Sequence, residues 1–313
     1  MKRCPLLIFL IFYLFLNNQI YSQNKIDIII KPSFGVSLSD NGEYIFNTTG
    51  KRLVSYLEWK TEPLFKAGIE TEISYKFLYF NIGGVFAVPR ECGQMFDSDW
   101  ISSGIKTTYS IHVNDCKSSF DFFSAIGCKI PIKRFEVIPQ ILFNYSYDSF
   151  HAHNGYGWYG GEDYSKNGEN VPWDSEYARK ASKLYPIDLI RDSLNTFLGV
   201  TVSYTPFQNF SISASTYFSF YTYVHSYDYH HADPQSLNDF SMTENQQAFF
   251  RRFKETLSVY YIYNDRFVFE LSGSYLFGGI IQGELYDDDE LTTQKSGSDI
   301  YNFNIKLSFG IKI

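Results

Sequence analysis

Asp97 and Asp99 stand two apart in the stretch MFDSDWIS (95–102), and Asp228 and His230 stand two apart in HSYDYHHADP (225–234). Along an extended chain, side chains two apart leave the same face, so each pair presents both of its groups to one space. A carboxylate beside an imidazole is the arrangement of a general base: the acid orients the ring and favours its charged form. Two carboxylates so close repel each other, and the nearest basic residues are Arg90 and Lys106. A protonated histidine, a shared proton or a cationic substrate would each offset that repulsion. Facing each other, the two pairs would hold a water molecule between acids and base.

Taken singly, each motif has a plainer reading. Asp-x-Asp is common in solvated turns and at adventitious calcium sites, and His225, His230 and His231 offer a zinc set. No HExxH, GxSxG, P-loop or CxxC pattern occurs.

The elements that must position these residues begin after an export signal. Two basic residues lead into the apolar run Leu6 to Leu16, and Ser22 offers a cleavage point; the run is too short to span a bilayer as a helix. The expected organisation is a signal peptide over 1–22 and a single domain over 23–313. Loss of Lys2 and Arg3 leaves 25 basic against 34 acidic residues. That balance disfavours nucleic acid and suits cationic peptides. With 26 Tyr, 30 Phe and 19% aromatic residues, an exported chain without an apolar helical span has the profile of an outer-membrane β-barrel. A secreted β-sandwich is the alternative.

Periodicity chooses between them. In YNFNIKLSFGIKI (301–313), Tyr301, Phe303, Ile305, Leu307, Phe309, Ile311 and Ile313 alternate with Asn302, Asn304, Lys306, Ser308, Gly310 and Lys312. The run beginning at Phe210 alternates similarly over some twenty residues, whereas strands of soluble sandwiches have about five or six. Tight turns are expected at 75–77, 131–134, 206–209 and 263–266, and long loops over 39–51, 91–105, 153–187, 229–245 and 285–297, with a short helix at SEYARKASKL. These connections divide the chain into an all-β, ten-stranded antiparallel transmembrane barrel with short periplasmic turns and long extracellular loops. Asp97 and Asp99 then fall in the second long loop, and Asp228 and His230 at the fourth, on opposite walls. In a hairpin folded about residues 103–105, Cys92 and Cys116 come opposite each other, so a disulfide is expected there, with Cys128 free.

At these residues the sequence resembles the omptins, ten-stranded outer-membrane endopeptidases with an active site at the extracellular rim. GKRLVSYLEWK (50–60), GQMFDSDW (93–100), SYDYHHADP (226–234) and the terminal DIYNFNIKLSFGIKI carry the resemblance. It implies that Asp97 and Asp99 are the family's acidic pair and Asp228 and His230 its dyad. The family pattern Asp-x-His-x-Asp-Pro has one residue fewer than DYHHADP; anchoring on Asp233–Pro234 selects His231 instead. Glu43 is the candidate for the acidic residue that recognises a basic substrate side chain. The implied activity is peptide hydrolysis next to basic residues by an activated water, with no metal and no cofactor, although lipopolysaccharide or a similar outer-membrane lipid is needed by members of the family. The expected partners are a cationic peptide or protein substrate and membrane lipid, with the chain a monomer. A catalytically inactive barrel acting as adhesin or receptor is the competing class; a narrow, side-chain-filled lumen argues against a porin.

Overall fold

The computed structural model describes residues 25–101, 104–166, 169–231 and 239–313. The expected signal peptide and the Asp233–Pro234 anchor lie outside these residues. The described chain is all β, with no helix. In chain order the strands are β1 (Ile26–Phe46), β2 (Leu53–Tyr75), β3 (Leu78–Ala87), β4 (Arg90–Trp100), β5 (Lys106–Cys128), β6 (Ile130–Ile132), β7 (Phe135–Tyr159), β8 (Gly161–Lys166), β9 (Glu169–Val171), β10 (Arg179–Leu184), β11 (Ile187–Phe207), β12 (Phe210–His230), β13 (Phe240–Ala248), β14 (Arg252–Tyr263), β15 (Phe267–Asp287) and β16 (Glu290–Lys312).

Every pairing is antiparallel, and the pairings close on themselves. From β1 the ring runs through β2, the collinear β3 and β4, β5, β7, β11, β12, the collinear β13 and β14, β15 and β16, which pairs β1 again. This gives ten positions around the ring, and among the described residues the ring itself has no free edge for water or another strand to claim. Two positions are interrupted. Between β3 and β4 stands Pro89, which has no N–H for the ladder. Between β13 and β14 stands Phe250, whose φ is +57°.

The wall is inverted relative to a soluble protein. Phe34 is 63% exposed on the outside, while Lys31 is 0% exposed on the inside. There the Lys31 ammonium meets Glu72 and Glu70 at 2.5 Å and Glu270 at 2.6 Å. Tyr301, Phe303, Ile305, Leu307, Phe309, Ile311 and Ile313 all face outward and are exposed, as their alternation predicts. Such a surface is stable against hydrocarbon, not against water. The apolar band ends near Leu38 on β1 and Phe220 on β12, and the strands continue beyond it.

The four tight turns fall where the sequence places them, at Lys76–Phe77, Lys133–Arg134, Gln208–Asn209 and 264–266. The long loops are shorter than expected. Residues 91–100 belong to β4, and the fifth expected loop collapses to a turn at Asp288–Asp289 between β15 and β16. The expected short helix is absent: Arg179–Leu184 forms β10, which pairs the outer end of β7. Polar, Gly-rich stretches read as loops because no apolar stripe marks them; they are strand here because their backbone groups complete ladders that extend past the membrane into solvent.

Cys92 and Cys116 are free thiols, contrary to the expected disulfide. Cys92 is the extra residue of a bulge between Glu91 and Gly93, so Arg90, not Cys92, is the register partner of Cys116. Both thiols are buried in an apolar cluster with Leu57, Trp59, Met95, Phe150 and Leu189.

Candidate active site

The site residues are projected inward above the apolar band by alternation along long strands. On β12, Val224, Ser226 and Asp228 are buried on the inner side, while the alternate Tyr223, His225, Tyr227 and Tyr229 line the outer. The same alternation on β4 turns Asp97 inward opposite Leu57 and places Met95 opposite Trp59. The bulge at Cys92 sets this phase. Gly93, at φ +131°, lies against β2 so closely that a Cβ would come within 2.4 Å of the Lys60 carbonyl, an approach only glycine permits.

His230 Nε2 lies 2.7 Å from Asp228 Oδ2, leaving Nδ1 as the other ring nitrogen. The ring stacks on Phe240 with centroids 4.3 Å apart and planes at 14°. Burial works against charge on this ring, but the Asp228 carboxylate and its hydrogen bond, then Asp97 and Glu43, prevail and lift its pKa to about 9. At neutral pH the ring is an imidazolium.

Asp97 and Asp99 face this cation from β4. Burial and then the charge of Asp99 push Asp97 well above the usual carboxylate range, against the pull of His230. Burial also raises Asp99, opposed by hydrogen bonds with Ser55 and Thr108 and by the cations His230 and Lys106. Two effects therefore offset the like-charge repulsion: burial, which favours the protonated form of the acidic pair, and a charged histidine across the gap. Lys106 is held beside the pair by aromatic faces, its ammonium 4.1 Å from the ring centre of Tyr109 and 5.2 Å from that of Trp173.

His231 is turned away. Its Nε2 meets Asp188 Oδ2 at 2.6 Å, and His151 occupies the other oxygen of Asp188 at the same distance. His225 pairs with Asn245. The three histidines of the zinc reading thus have three different partners. Glu43 is brought to the site, yet it is only 3% exposed. Its Oε2 accepts a hydrogen bond from Trp59 Nε1 at 2.7 Å, and its Oε1 lies 3.2 Å from Arg191 Nη2. Burial raises Glu43 to about 7, against the Arg191 guanidinium.

Residue-by-residue reading missed Arg191, Glu244 and His112. Arg191 follows Ile187 and Leu189 on the inward phase of β11, and a charge at such a position is a legible signal. His112 faces inward, 3% exposed, with burial and then the charge of His230 pushing it down to about 4.

The omptin family model matches residues 24–313. The chain belongs to the omptin family. The crystal structure of the outer-membrane protease OmpT from Escherichia coli is similar to this omptin, with a TM-score of 0.78 and 16% identity over 95% of this chain and 99% of that one. The outer-membrane protein OprG from Pseudomonas aeruginosa has a TM-score of 0.37 and 10% identity over 94% of this chain and 99% of that one. No curated protein matches. Family and fold together support an outer-membrane protease.

Proposed function

We propose that this omptin is an endopeptidase of aspartic type that hydrolyses peptide bonds with a water activated by Asp228 and His230 opposite Asp97 and Asp99. The observation that carries the reading is the 2.7 Å Asp228–His230 contact on the wall facing a half-buried acidic pair. A water between the walls loses a proton to Nδ1 of neutral His230 and attacks the scissile carbonyl. Asp228 orients the ring and stabilises the imidazolium that forms. Protonated Asp97 donates to the developing oxyanion, a role worth most where burial removes competing water. The imidazolium then returns its proton to the leaving amine. The step uses neither a metal nor a covalent intermediate.

The exposed carboxylates at the rim, Asp287, Asp288, Asp289 and Glu290 among them, favour an approaching cationic peptide or protein, an effect that salt weakens. The site opens to the outside of the cell, the chain acts as a monomer, and residues 1–22 serve as its signal peptide ahead of one domain, 23–313. An outer-membrane lipid such as lipopolysaccharide packs against the band and supports activity.

The test is turnover of fluorogenic peptides by purified protein, with and without lipopolysaccharide, compared with His230→Ala and Asp228→Ala. Turnover lost in both variants, with the heat-resistant gel migration of a folded ring retained, fits the proposal. No turnover by the wild type under any lipid condition would favour an adhesin or receptor.

A further inference from the structure

We infer that Arg191 is a specificity-determining residue: it fills the floor beneath the dyad, so that the substrate side chain accepted there is uncharged rather than basic. The inference rests on the hydrolase reading above and narrows its substrate class. It departs from the expectation that Glu43 would receive a basic side chain.

Arg191 belongs to the floor by register as well as by contact. It pairs with Ser226 on β12, two residues before Asp228. Its Nε donates to Ser226 Oγ at 3.0 Å and its Nη2 to the Gly42 carbonyl at 3.3 Å, with Glu43 Oε1 at 3.2 Å. These contacts tie β11 to its neighbour β12 and, across the lumen, to β1. The residue is 6% exposed and anchored by three partners, Ser226, Gly42 and Glu43.

The charges of the floor are then balanced from within. Asp228 is paired with His230, and Glu43 with Arg191. Glu244 is the third carboxylate here. It accepts a hydrogen bond from Gln246 at 2.7 Å, and burial, then the Glu43 charge, push its pKa well above its usual range, favouring the neutral acid. Asp228 Oδ1 and Glu43 Oε1 accept no hydrogen bond, but each carboxylate already has its own cation, His230 or Arg191, so an entering ammonium or guanidinium would have to share one with it. A substrate cation would be stripped of water beside a buried guanidinium, an arrangement that desolvation and like charge both oppose. An uncharged side chain meets neither penalty. The rim and the floor thus select at different scales: the exposed acids act on the net charge of the whole peptide, and Arg191 on the single residue beneath the dyad.

The test uses the whole protein in detergent with lipopolysaccharide. Its substrates are decapeptides with flanking lysines and one central position varied among Arg, Lys, Gln, Ala and Leu, with cleavage sites read by mass spectrometry. The wild type is expected to cleave after Gln or Ala at least as well as after Arg or Lys. Arg191→Ser, which frees Glu43, should raise cleavage after Arg or Lys at least tenfold relative to Gln. A tenfold wild-type preference for Arg or Lys overturns the inference, whether or not the variant folds. Binding separates this failure from failure of the hydrolase reading. Fluorescence anisotropy on His230→Ala should show Arg and Gln peptides binding within threefold of each other, and His230→Ala/Arg191→Ser should favour Arg tenfold. Those ratios support the inference even if the wild type cleaves nothing; tenfold tighter binding of the Arg peptide by His230→Ala refutes it.

Discussion

Replacing Asp228 with Asn should change the pH profile of hydrolysis as well as its rate. The acid holds the ring in place and, with Asp97 and Glu43 and against burial, raises its pKa from 6.5 to about 9, a net bias of roughly 3 kcal/mol toward the charged form at 1.36 kcal/mol per pKa unit. His230 must be neutral to accept a proton from water. Activity is therefore lost as pH falls through about 9, and at pH 7 only about one ring in a hundred is in the working form. The variant loses the largest influence that favours the cation while burial, which opposes it, remains. Its acidic limb should move down by about two pH units or more. The plateau above that limb should still fall, on the order of 10²- to 10⁴-fold, because an unanchored ring is a poor base. The assay is kcat/KM for a fluorogenic peptide from pH 5 to pH 10, with heat-resistant gel migration as the control for folding. A wild-type plateau already reached at pH 7, or an unmoved limb in Asp228→Asn, would refute the account of this dyad.

Other outcomes follow from the same geometry. Asp97→Ala removes the donor to the oxyanion, so the ring should fold normally while kcat drops at least tenfold; full activity in both Asp97→Ala and Asp99→Ala would return the pair to a structural role. A chelator should leave turnover unchanged, because His225, His230 and His231 have separate partners; inhibition reversed by added zinc would contradict this. Cys92 and Cys116, 2% and 1% exposed, should resist alkylation in the folded protein and react once it is unfolded without reductant. Alkylation that requires reduction would restore the disulfide. Gly93→Ala should push β4 away from β2 and cut kcat at least tenfold, and unchanged kinetics would mean that the close approach to Lys60 does not hold the acidic pair in place.

How much of this was legible in the sequence varied with the physics behind each feature. The wall of the ring could be read directly, because hydrocarbon outside and charge inside force a strict alternation such as that from Tyr301 to Ile313. The tight turns were legible because polar, turn-forming residues interrupt that alternation. Above the band the rule lapses. Outward residues there meet water, so β4 and the outer ends of β15 and β16 looked like loops although their backbones complete ladders. The register of the dyad was open between His230 and His231, since spacing does not reveal that Asp188 sits on the neighbouring strand to receive His231. Glu43 was visible as a candidate acid, but its ion pair with Arg191 joins positions far apart in sequence that only ring closure makes neighbours. The disulfide was misjudged by one residue, the bulge at Cys92.

Ring closure also acts as a calliper. The acidic pair and the dyad stand on separate walls, and no loop sets the gap between them. It follows from how many strands are bonded side by side. Ten strands about 4.8 Å apart and tilted near 40° enclose a circle about 20 Å across, and twelve would enclose about 24 Å. One duplicated hairpin would thus part the two pairs by about 4 Å, more than the width of the water they are to share, without altering any residue of the site. For this architecture strand number is a catalytic parameter. Evolution can lengthen or exchange the rim segments freely, but a change in the circumference ends the chemistry.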